Sequence, residues 1–211
     1  MLFRSANRSG AGVDTYPVDE YKKMRLFLTP DGGAGFALKG DDIVSVFNSA
    51  NSGHKHISNS MLQLAIAQGG RKLDAYDTAL PHIYSRNKFV VSSRLPWNDE
   101  HKKDEWNYDD FKKYKGGRPD VVFMHYDPSY EKLYDGTEGE YASDYDSAVD
   151  AQSRSVKAVQ KAMSKPKKKA KAYGGAITPI ELGAGNFDDE ARRLILWSYA
   201  AAPIVRPLSR E

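Results

Sequence analysis

Residues 73–89 hold proton-exchanging side chains close together in the sequence. Tyr84 follows Asp74 by ten positions and Asp77 by seven. A phenol can donate a proton and an ionised carboxylate can accept one. Asp77 precedes a short helix, where an aspartate often caps the first turn, whereas a strand position lets Asp74 point into a cleft. A tyrosine on such a helix also packs into cores with its hydroxyl at the rim, so a packing role and a chemical role are both open for Tyr84.

A second polar group lies at residues 53–60, in a loop and the start of the helix that follows it. Around Gly53 it combines positive character with hydroxyl and amide donors, supplied by His54, Lys55, His56, Ser58, Asn59 and Ser60. These donors suit an anion at the helix start, and they equally suit a solvated loop in which Ser58 or Asn59 caps the helix. The two histidines have no third ligand nearby in the sequence, so we expect no metal site.

The spacing of apolar residues predicts the elements that must position these groups. A hairpin is expected from GFALK through Gly40-Asp41-Asp42 to IVSVFNS, followed by a helix that Gly69 stops. Strands are predicted at 71–76, 89–94 and 120–126, and a helix is predicted at 80–88. A further helix is predicted from Pro17 through VDEYKKMRLFL. This order predicts a mixed α/β (α+β) fold, in which helices pack on a mainly antiparallel sheet.

Composition limits the class of protein. The chain has 211 residues, 40% of them hydrophobic, which suits one domain with an appendage. No apolar run is long enough to span a bilayer and the N-terminus lacks an apolar signal segment, so we expect no membrane partner. The chain has no cysteine, which excludes disulfides and a cysteine nucleophile and fits a reducing compartment.

Charge and composition divide the chain into four parts. They are an N-terminal arm at 1–16, a domain at 17–128 with an insertion at 96–119, a charged linker at 129–175, and a C-terminal helical tail at 176–211. The linker is first acidic and then basic, and its basic part is expected to contain the helix SRSVKAVQKAM. The tail contains FDDEARRLILWSYAAAPIV, an amphipathic helix that must bury its apolar face on the domain or on another chain.

Two segments raise the question of nucleic-acid binding. A lysine-rich run, from Lys165 to Lys171, can neutralise phosphates, or it can be a tail that pairs with acidic residues. The insertion interleaves aromatics with lysines, which suits base stacking. Its acidic residues offset that positive charge almost completely, so the insertion is expected to pack over the sheet by its aromatics with its charges in water.

Several motifs together resemble a known family. The pattern LxxYDTxLPxIYxxxxF, the hairpin GFALKGDDIVSVFN and the strands GGRKLDAYDT and PDVVFM are similar to the GNAT superfamily of acyl-CoA-dependent N-acyltransferases. The closest resemblance is to the GNAT-like proteins of bacteriophages, over residues 17–128. The family asparagine is Asp77 here and the family glycine is Lys88, while Tyr84 and Phe89 match the family tyrosine and phenylalanine.

The resemblance implies transfer of an acetyl group from acetyl-CoA to an amine. It gives Tyr84 the role of general acid and leaves Asp77 or Asp74 as the base. Backbone amides at Val46, Phe47 and Asn48 would meet the developing oxyanion. The pyrophosphate would lie at the loop and helix start, on Gly53, His54, Lys55, Ser58, Asn59 and Ser60. The three positions that define this loop in the family are Gly53, His56 and Ser58 here, and none has the family residue.

Two functions therefore remain open. One is a GNAT-like N-acetyltransferase. The other is a non-catalytic GNAT-fold component of a phage virion, tethered to neighbouring protein subunits by its arm and tail. The corresponding locations are the cytoplasm of a bacterial host or the virion. Nucleic-acid binding through Lys165 to Lys171 is compatible with either function.

Overall fold

A computed structural model describes residues 12–164. Within this range a seven-stranded open sheet is combined with four α helices. In chain order the elements are α1 (Val18–Tyr21), β1 (Arg25–Leu28), β2 (Ala34–Lys39), β3 (Asp42–Asn48), α2 (Ile57–Ala67), β4 (Lys72–Tyr76), α3 (Leu80–Ser85), β5 (Phe89–Leu95), β6 (Val121–Tyr126), β7 (Glu140–Tyr141) and α4 (Tyr145–Ser164). The mixed α/β class with a mainly antiparallel sheet is confirmed.

The strand order of the sheet is β1-β2-β3-β4-β6-β5-β7. Neighbouring strands are antiparallel except for β3 with β4 and β5 with β7. The β3–β4 pair has only one residue pair in register, Asp42 with Lys72, near the start of both strands. Beyond that pair the two strands diverge, so the middle of the sheet contains a gap.

The predicted hairpin of β2 and β3 is confirmed, and a bulge bends its second strand. Gly40 takes a φ of +66° in the turn, a conformation that favours glycine. Further along, Ser45 and Val46 together lie opposite the single residue Phe36. Ser45 has a φ of +53°, which is uncommon for a residue with a side chain. The bulge re-aims the end of β3, beyond the point where β3 has left β4.

The two faces of the sheet carry different helices. Leu73 and Ala75 of β4 lie in the main hydrophobic core with residues of α2, and we call this side the α2 face. Asp74 alternates with them and pairs in register with Phe123, whose ring meets that of Tyr145 on α4 at 5.3 Å. Asp74 therefore lies on the opposite side, the α4 face.

Two predicted helix features near the N-terminal half are wrong. The helix expected from Pro17 ends at Tyr21, and Arg25–Leu28 is the edge strand β1. Stacking of Phe27 on Phe36 at 4.7 Å fixes this segment against β2, and such long-range packing overrides helical spacing. The expected side-chain caps are also not formed: α2 begins after His56 and α3 after Ala79, each without a capping side-chain hydrogen bond.

The predicted charged linker contains ordered elements up to Ser164. Helix α4 begins at Tyr145, well before the predicted basic segment, and packs on β5 and β6. Gln152 is 3% exposed and donates to the carbonyls of Leu73 and Met124 at 2.7 and 2.8 Å. Of the predicted apolar side of this helix, Val156 is buried whereas Met163 is 65% exposed.

The insertion packs by its aromatic residues, as expected. Trp106 and Phe111 are buried and their rings stack at 4.0 Å. Tyr76, on the α4 face, contacts this cluster, so the insertion covers that face beside β4. Residues 1–11 of the arm, the run from Lys165 to Lys171 and the predicted C-terminal helical tail at 176–211 lie outside the described residues. Within residues 12–164 no helix is long and apolar enough to cross a membrane.

Candidate active site between strands β3 and β4

A cavity of about 420 Å³ fills the gap between β3 and β4. This volume is within the range of small-molecule sites. Its walls come from β3, β4, α2, α3, the insertion and the end of the arm. The lining residues that concern the chemistry are Asp14, Val46, Phe47, Asn48, Ser58, Asp74, Tyr84 and Tyr114.

The cavity is lined from both faces of the sheet. Ser58 of α2 and Tyr84 of α3 line it from the α2 face, where these helices pack. Phe111 of the insertion lines it from the α4 face, together with Gly12 from the end of the arm. The divergence of β3 and β4 thus lets groups on opposite faces of the sheet border one space.

Asp74 lies on β4 and borders this space from the α4 face. Its carboxylate makes no hydrogen bond to another described residue. The pKa of Asp74 is raised to about 7, chiefly by burial and then by the charges of Asp14 and Asp42, against the opposing effect of Lys103 and Lys72. A carboxyl group with a pKa near neutrality changes protonation state in the range where a general base operates.

Tyr84 borders the cavity from α3. The residue is 5% exposed, and its hydroxyl has no hydrogen-bond partner among the described residues. Burial raises the pKa of Tyr84, and the charge of Asp74 adds to this shift. The phenol therefore keeps its proton at neutral pH. Buried hydroxyls usually have a partner, so an unpartnered one beside a cavity is available to a ligand.

The end of β3 supplies the third part of the site. Val46, Phe47 and Asn48 all line the cavity, directly after the residue that starts the bulge. The side chain of Asn48 donates to the carbonyl of His54 at 2.7 Å and so ties the strand end to the following loop. The sequence-predicted oxyanion residues thus lie on the same cavity as Asp74 and Tyr84.

The predicted pyrophosphate loop is only partly at this cavity. Ser58 lines it, whereas Gly53, His54, Lys55, Asn59 and Ser60 do not. The ring of His54 lies 3.0 Å from the carboxylate of Asp31, and its amide donates to the hydroxyl of Ser52. Hydrogen bonds from Thr29, Gly33 and His54 hold the pKa of Asp31 well below its usual range, so this loop has a stable negative charge beside it.

Asp77, the other predicted base, lies in a separate polar network. Its carboxylate accepts hydrogen bonds from Tyr134 at 2.8 Å and from Arg94 at 3.2 Å. Asp77 is not among the residues lining the cavity. Of the two candidate bases, only Asp74 shares a space with Tyr84.

Sequence reasoning missed the charged residues that surround Asp74. Asp14 lies in the predicted arm, Asp42 at the hairpin turn, and Lys103 in the insertion. Lys72 pairs with Asp42 at 3.3 Å, and Lys103 pairs with Asp14. The alternation of Lys72 and Asp74 on one strand was a usable signal, but no local pattern identifies Asp14 or Lys103, because they approach only in the folded chain.

Within residues 12–164 no group of histidine, aspartate and glutamate side chains is placed to hold a metal ion.

A scan against protein-family models and searches of the curated proteins and of the solved structures found no match to this chain.

Proposed function

We propose that this protein is a GNAT-like N-acyltransferase that transfers an acetyl group from acetyl-CoA to an amine. The observation that carries the proposal is the shared cavity between β3 and β4, with Asp74 and Tyr84 on its walls and neither hydrogen-bonded to a described residue. A general base and a general acid bordering one space are what acyl transfer to an amine requires.

Each residue has one role in this reaction. Acetyl-CoA, when bound, supplies an acyl group activated as a thioester. A carboxylate oxygen of Asp74 accepts the proton that the acceptor amine loses. The Tyr84 hydroxyl holds a proton that the departing sulfur can take. Backbone amides at residues 46–48 of β3 are the candidate donors to the carbonyl oxygen as it gains negative charge.

The cavity fits the thioester end of acetyl-CoA better than the loop fits its diphosphate. Tyr84 offers an unpartnered donor inside the cavity, and the volume of about 420 Å³ suits an acetyl group with part of the pantetheine arm. Lys55 of the loop is exposed and could attract a diphosphate. The carboxylate of Asp31, which lies beside His54, would repel it. The cavity is therefore the part of the site that supports acyl transfer.

Calorimetric titration of the full chain with acetyl-CoA tests the proposal. We expect one binding site, followed by acetylated product when an amine acceptor is added. No heat of binding at millimolar acetyl-CoA would overturn the proposal.

A structural role in a phage virion is the second candidate, and the free edge of the sheet favours it. Among described strands, β1 pairs only with β2, and its side chains Leu26 and Leu28 are 50% and 36% exposed. An exposed edge strand with apolar residues suits contact with another protein.

Truncation after Ser164 tests this second role, because the cut leaves α4 whole. We expect the truncated chain to remain folded and, if the tail is a tether, to be missing from assembled particles. Incorporation equal to that of the full chain would exclude the tail as the tether.

A further inference from the structure

We propose that residues 12–16 form a movable cover on the α4 side of the cavity, held in place by the ion pair between Asp14 and Lys103. We call this segment the cover. It controls the entry of any ligand from that side, so its role does not depend on the proposed acyl transfer.

The cover and the insertion border the same side of the cavity. Gly12, Val13 and Asp14 line that side from the cover. The insertion lines it with Asp110, Phe111, Lys113 and Tyr114. A Cβ atom at Gly12 would lie 3.7 Å from the ring of Tyr76, so the backbone of the cover passes close to a wall residue of the cavity. A ligand that enters from the α4 side must therefore pass between these two segments.

One ion pair joins the cover to the insertion. The carboxylate of Asp14 pairs with the ammonium group of Lys103, and within residues 12–164 no other residue of the insertion forms an ion pair with the cover. The side chain of Asp14 is 53% exposed and that of Lys103 is 22% exposed, so water and salt reach the pair. Exposed ion pairs contribute little free energy and weaken as ionic strength rises. This contact is therefore one that opens easily.

The cover is also attached to the bulge of β3. The hydroxyl of Ser45 donates to the carbonyl of Asp14 at 2.8 Å, and the hydroxyl of Tyr21 lies 2.8 Å from that of Ser45. Because Ser45 has one proton to donate, Tyr21 is the donor in the second hydrogen bond. Residues 12–16 belong to no strand of the described sheet. Side-chain contacts rather than strand pairing thus attach the cover to the sheet.

Tyr16 holds the other end of the cover. Its ring packs on the cluster of Met24, Ala37 and Val44. Val44 also lines the cavity and directly precedes Ser45, so it lies beneath the cover. Apolar packing holds this end, whereas weak polar contacts hold the rest. The cover therefore opens by turning about Tyr16, and this movement exposes Val44.

Single introduced cysteines test the cover directly, because the chain has no cysteine of its own. Val44→Cys places a thiol under the cover, and Val91→Cys places one in the main core at a position that does not line the cavity. Val44 and Val91 are 8% and 7% exposed, so the two reporters are matched in residue type and burial. Each thiol is reacted in the folded full chain with 4,4′-dithiodipyridine, an uncharged disulfide that releases one absorbing thiopyridone per thiol.

Breaking the ion pair should speed the reaction of the Val44→Cys thiol. We expect Lys103→Met and Asp14→Asn each to raise its rate by about twofold to fivefold, the range of an exposed ion pair. Their combination should be no faster than the faster single variant, because both remove the same contact. Lys112→Met is the control on an exposed lysine of the insertion that does not line the cavity, and it should leave the rate unchanged. Raising NaCl from about 0.05 M to about 0.5 M should speed the parent reaction but not that of Lys103→Met.

Hydrogen–deuterium exchange tests the same movement without a cysteine, and it decides the question if a cysteine variant fails to fold. The backbone amides of residues 13–16 should exchange faster in Lys103→Met than in the wild type, while those of residues 89–91 stay unchanged. Neither measurement uses acetyl-CoA, so both are independent of the proposed function.

Three results would overturn the role of the cover. They are equal rates for the Val44→Cys thiol in Lys103→Met and Lys112→Met, an equal acceleration of the Val91→Cys thiol, and unchanged exchange of residues 13–16 in Lys103→Met. The first and third would show that the ion pair does not hold the cover, and the second would show a general loosening of the fold.

Discussion

Asp74 is a carboxylate that the fold keeps partly buried and that has no hydrogen-bonding partner within residues 12–164. The two neighbouring lysines form ion pairs with other carboxylates instead, Lys72 with Asp42 and Lys103 with Asp14. A buried charge that lacks a partner costs stability, and a protein can carry that cost where the group has a task. At the residue scale, this is the strongest indication that the cavity is a functional site.

The stability of the fold should fall as pH rises towards neutrality because of Asp74. Its pKa in the folded chain is about 7, above that of an unfolded aspartate, so between these values the folded state binds more protons than the unfolded state. The free energy of unfolding therefore decreases with rising pH up to about 7, by about 1.4 kcal/mol for each unit of pKa difference.

Denaturant unfolding of the wild type and Asp74→Asn from pH 4 to pH 8 measures this effect. We expect the variant to be the more stable protein at pH 8 and the difference to shrink as pH falls. The difference between the two proteins removes the contributions of groups remote from Asp74 and keeps those of Asp74 and its electrostatic partners, which are Asp14, Asp42, Lys72, Lys103, Tyr16, Tyr84 and Tyr145. A difference that does not change with pH would contradict the raised pKa.

Replacement of Tyr84 by phenylalanine should separate catalysis from packing. The hydroxyl has no hydrogen-bond partner among the described residues, so its loss should change the free energy of unfolding by less than about 0.5 kcal/mol. If Tyr84 is the acid, kcat should drop by about a hundredfold to ten-thousandfold. Acetyl-CoA affinity, measured by calorimetry, should stay nearly constant, and unchanged kcat would exclude the role.

Sequence reasoning predicted Tyr84 as a candidate acid and Asp74 as one of two candidate bases, but it did not predict the charged residues around them. Tyr84 and Asp74 lie on elements whose spacing is readable, a helix after a strand. Asp14 and Lys103 are 89 positions apart and meet only through the arm and the insertion. Their pairing depends on long-range contacts, which local periodicity does not encode.

At the scale of elements, Gln152 makes the main side-chain hydrogen bonds from α4 to the sheet, beside the bond from Ser93 to the Ala148 carbonyl. Gln152 donates two hydrogen bonds to carbonyls of β4 and β6, and it is almost fully buried. The helix is otherwise polar, with Ala148 and Val156 as its buried apolar residues. The position of α4 therefore depends strongly on this amide.

Replacement of Gln152 by alanine should lower the free energy of unfolding by about 2 kcal/mol or more, because two buried carbonyls lose their donors. Gln160→Ala is the control, since Gln160 is exposed on the same helix and should change stability by less than about 0.5 kcal/mol. Thermal or denaturant unfolding measures both. Equal effects of the two substitutions would contradict the anchoring role.

The elements that sequence reasoning missed or misplaced share a cause. The sequence predicts helix at β1 because Leu26 and Leu28 fit both spacings, and the stacking of Phe27 on Phe36 decides for the strand. Helix α4 starts inside an acidic segment whose composition suggested a linker, and a glutamine rather than an apolar stripe joins it to the sheet. Strands with clear alternation and bounding glycines, such as β2 and β3, were predicted close to their observed limits.

At the scale of the whole molecule, Arg94 of β5 contacts three other segments of the chain. Its guanidinium contacts Asp77 after β4, Asp120 before β6, and Tyr134 and the Gly136 carbonyl after β6. The side chain is 5% exposed, so its charge is balanced almost entirely by protein groups. This network organises the end of the sheet opposite to β1.

Replacement of Arg94 by methionine should lower the free energy of unfolding by about 3 kcal/mol, because the half-buried Asp77 loses its only cation within residues 12–164 while Asp120 keeps its ion pair with Lys115. Arg86→Met serves as the control on an exposed arginine of the same region. Denaturant unfolding compares the two variants. A loss for Arg94→Met no larger than for Arg86→Met would show that the network contributes little to stability.

The single registered pair between β3 and β4 also has a mechanical consequence. The sheet consists of two parts, β1–β3 and β4–β7, and the pairing of Asp42 with Lys72 is the single registered strand contact between them. Tension that pulls the two parts away from each other would meet less resistance along this seam than between any antiparallel neighbours, each of which shares four or more registered pairs. The strand boundary with the fewest registered pairs is thus also the one at which the molecule encloses its cavity.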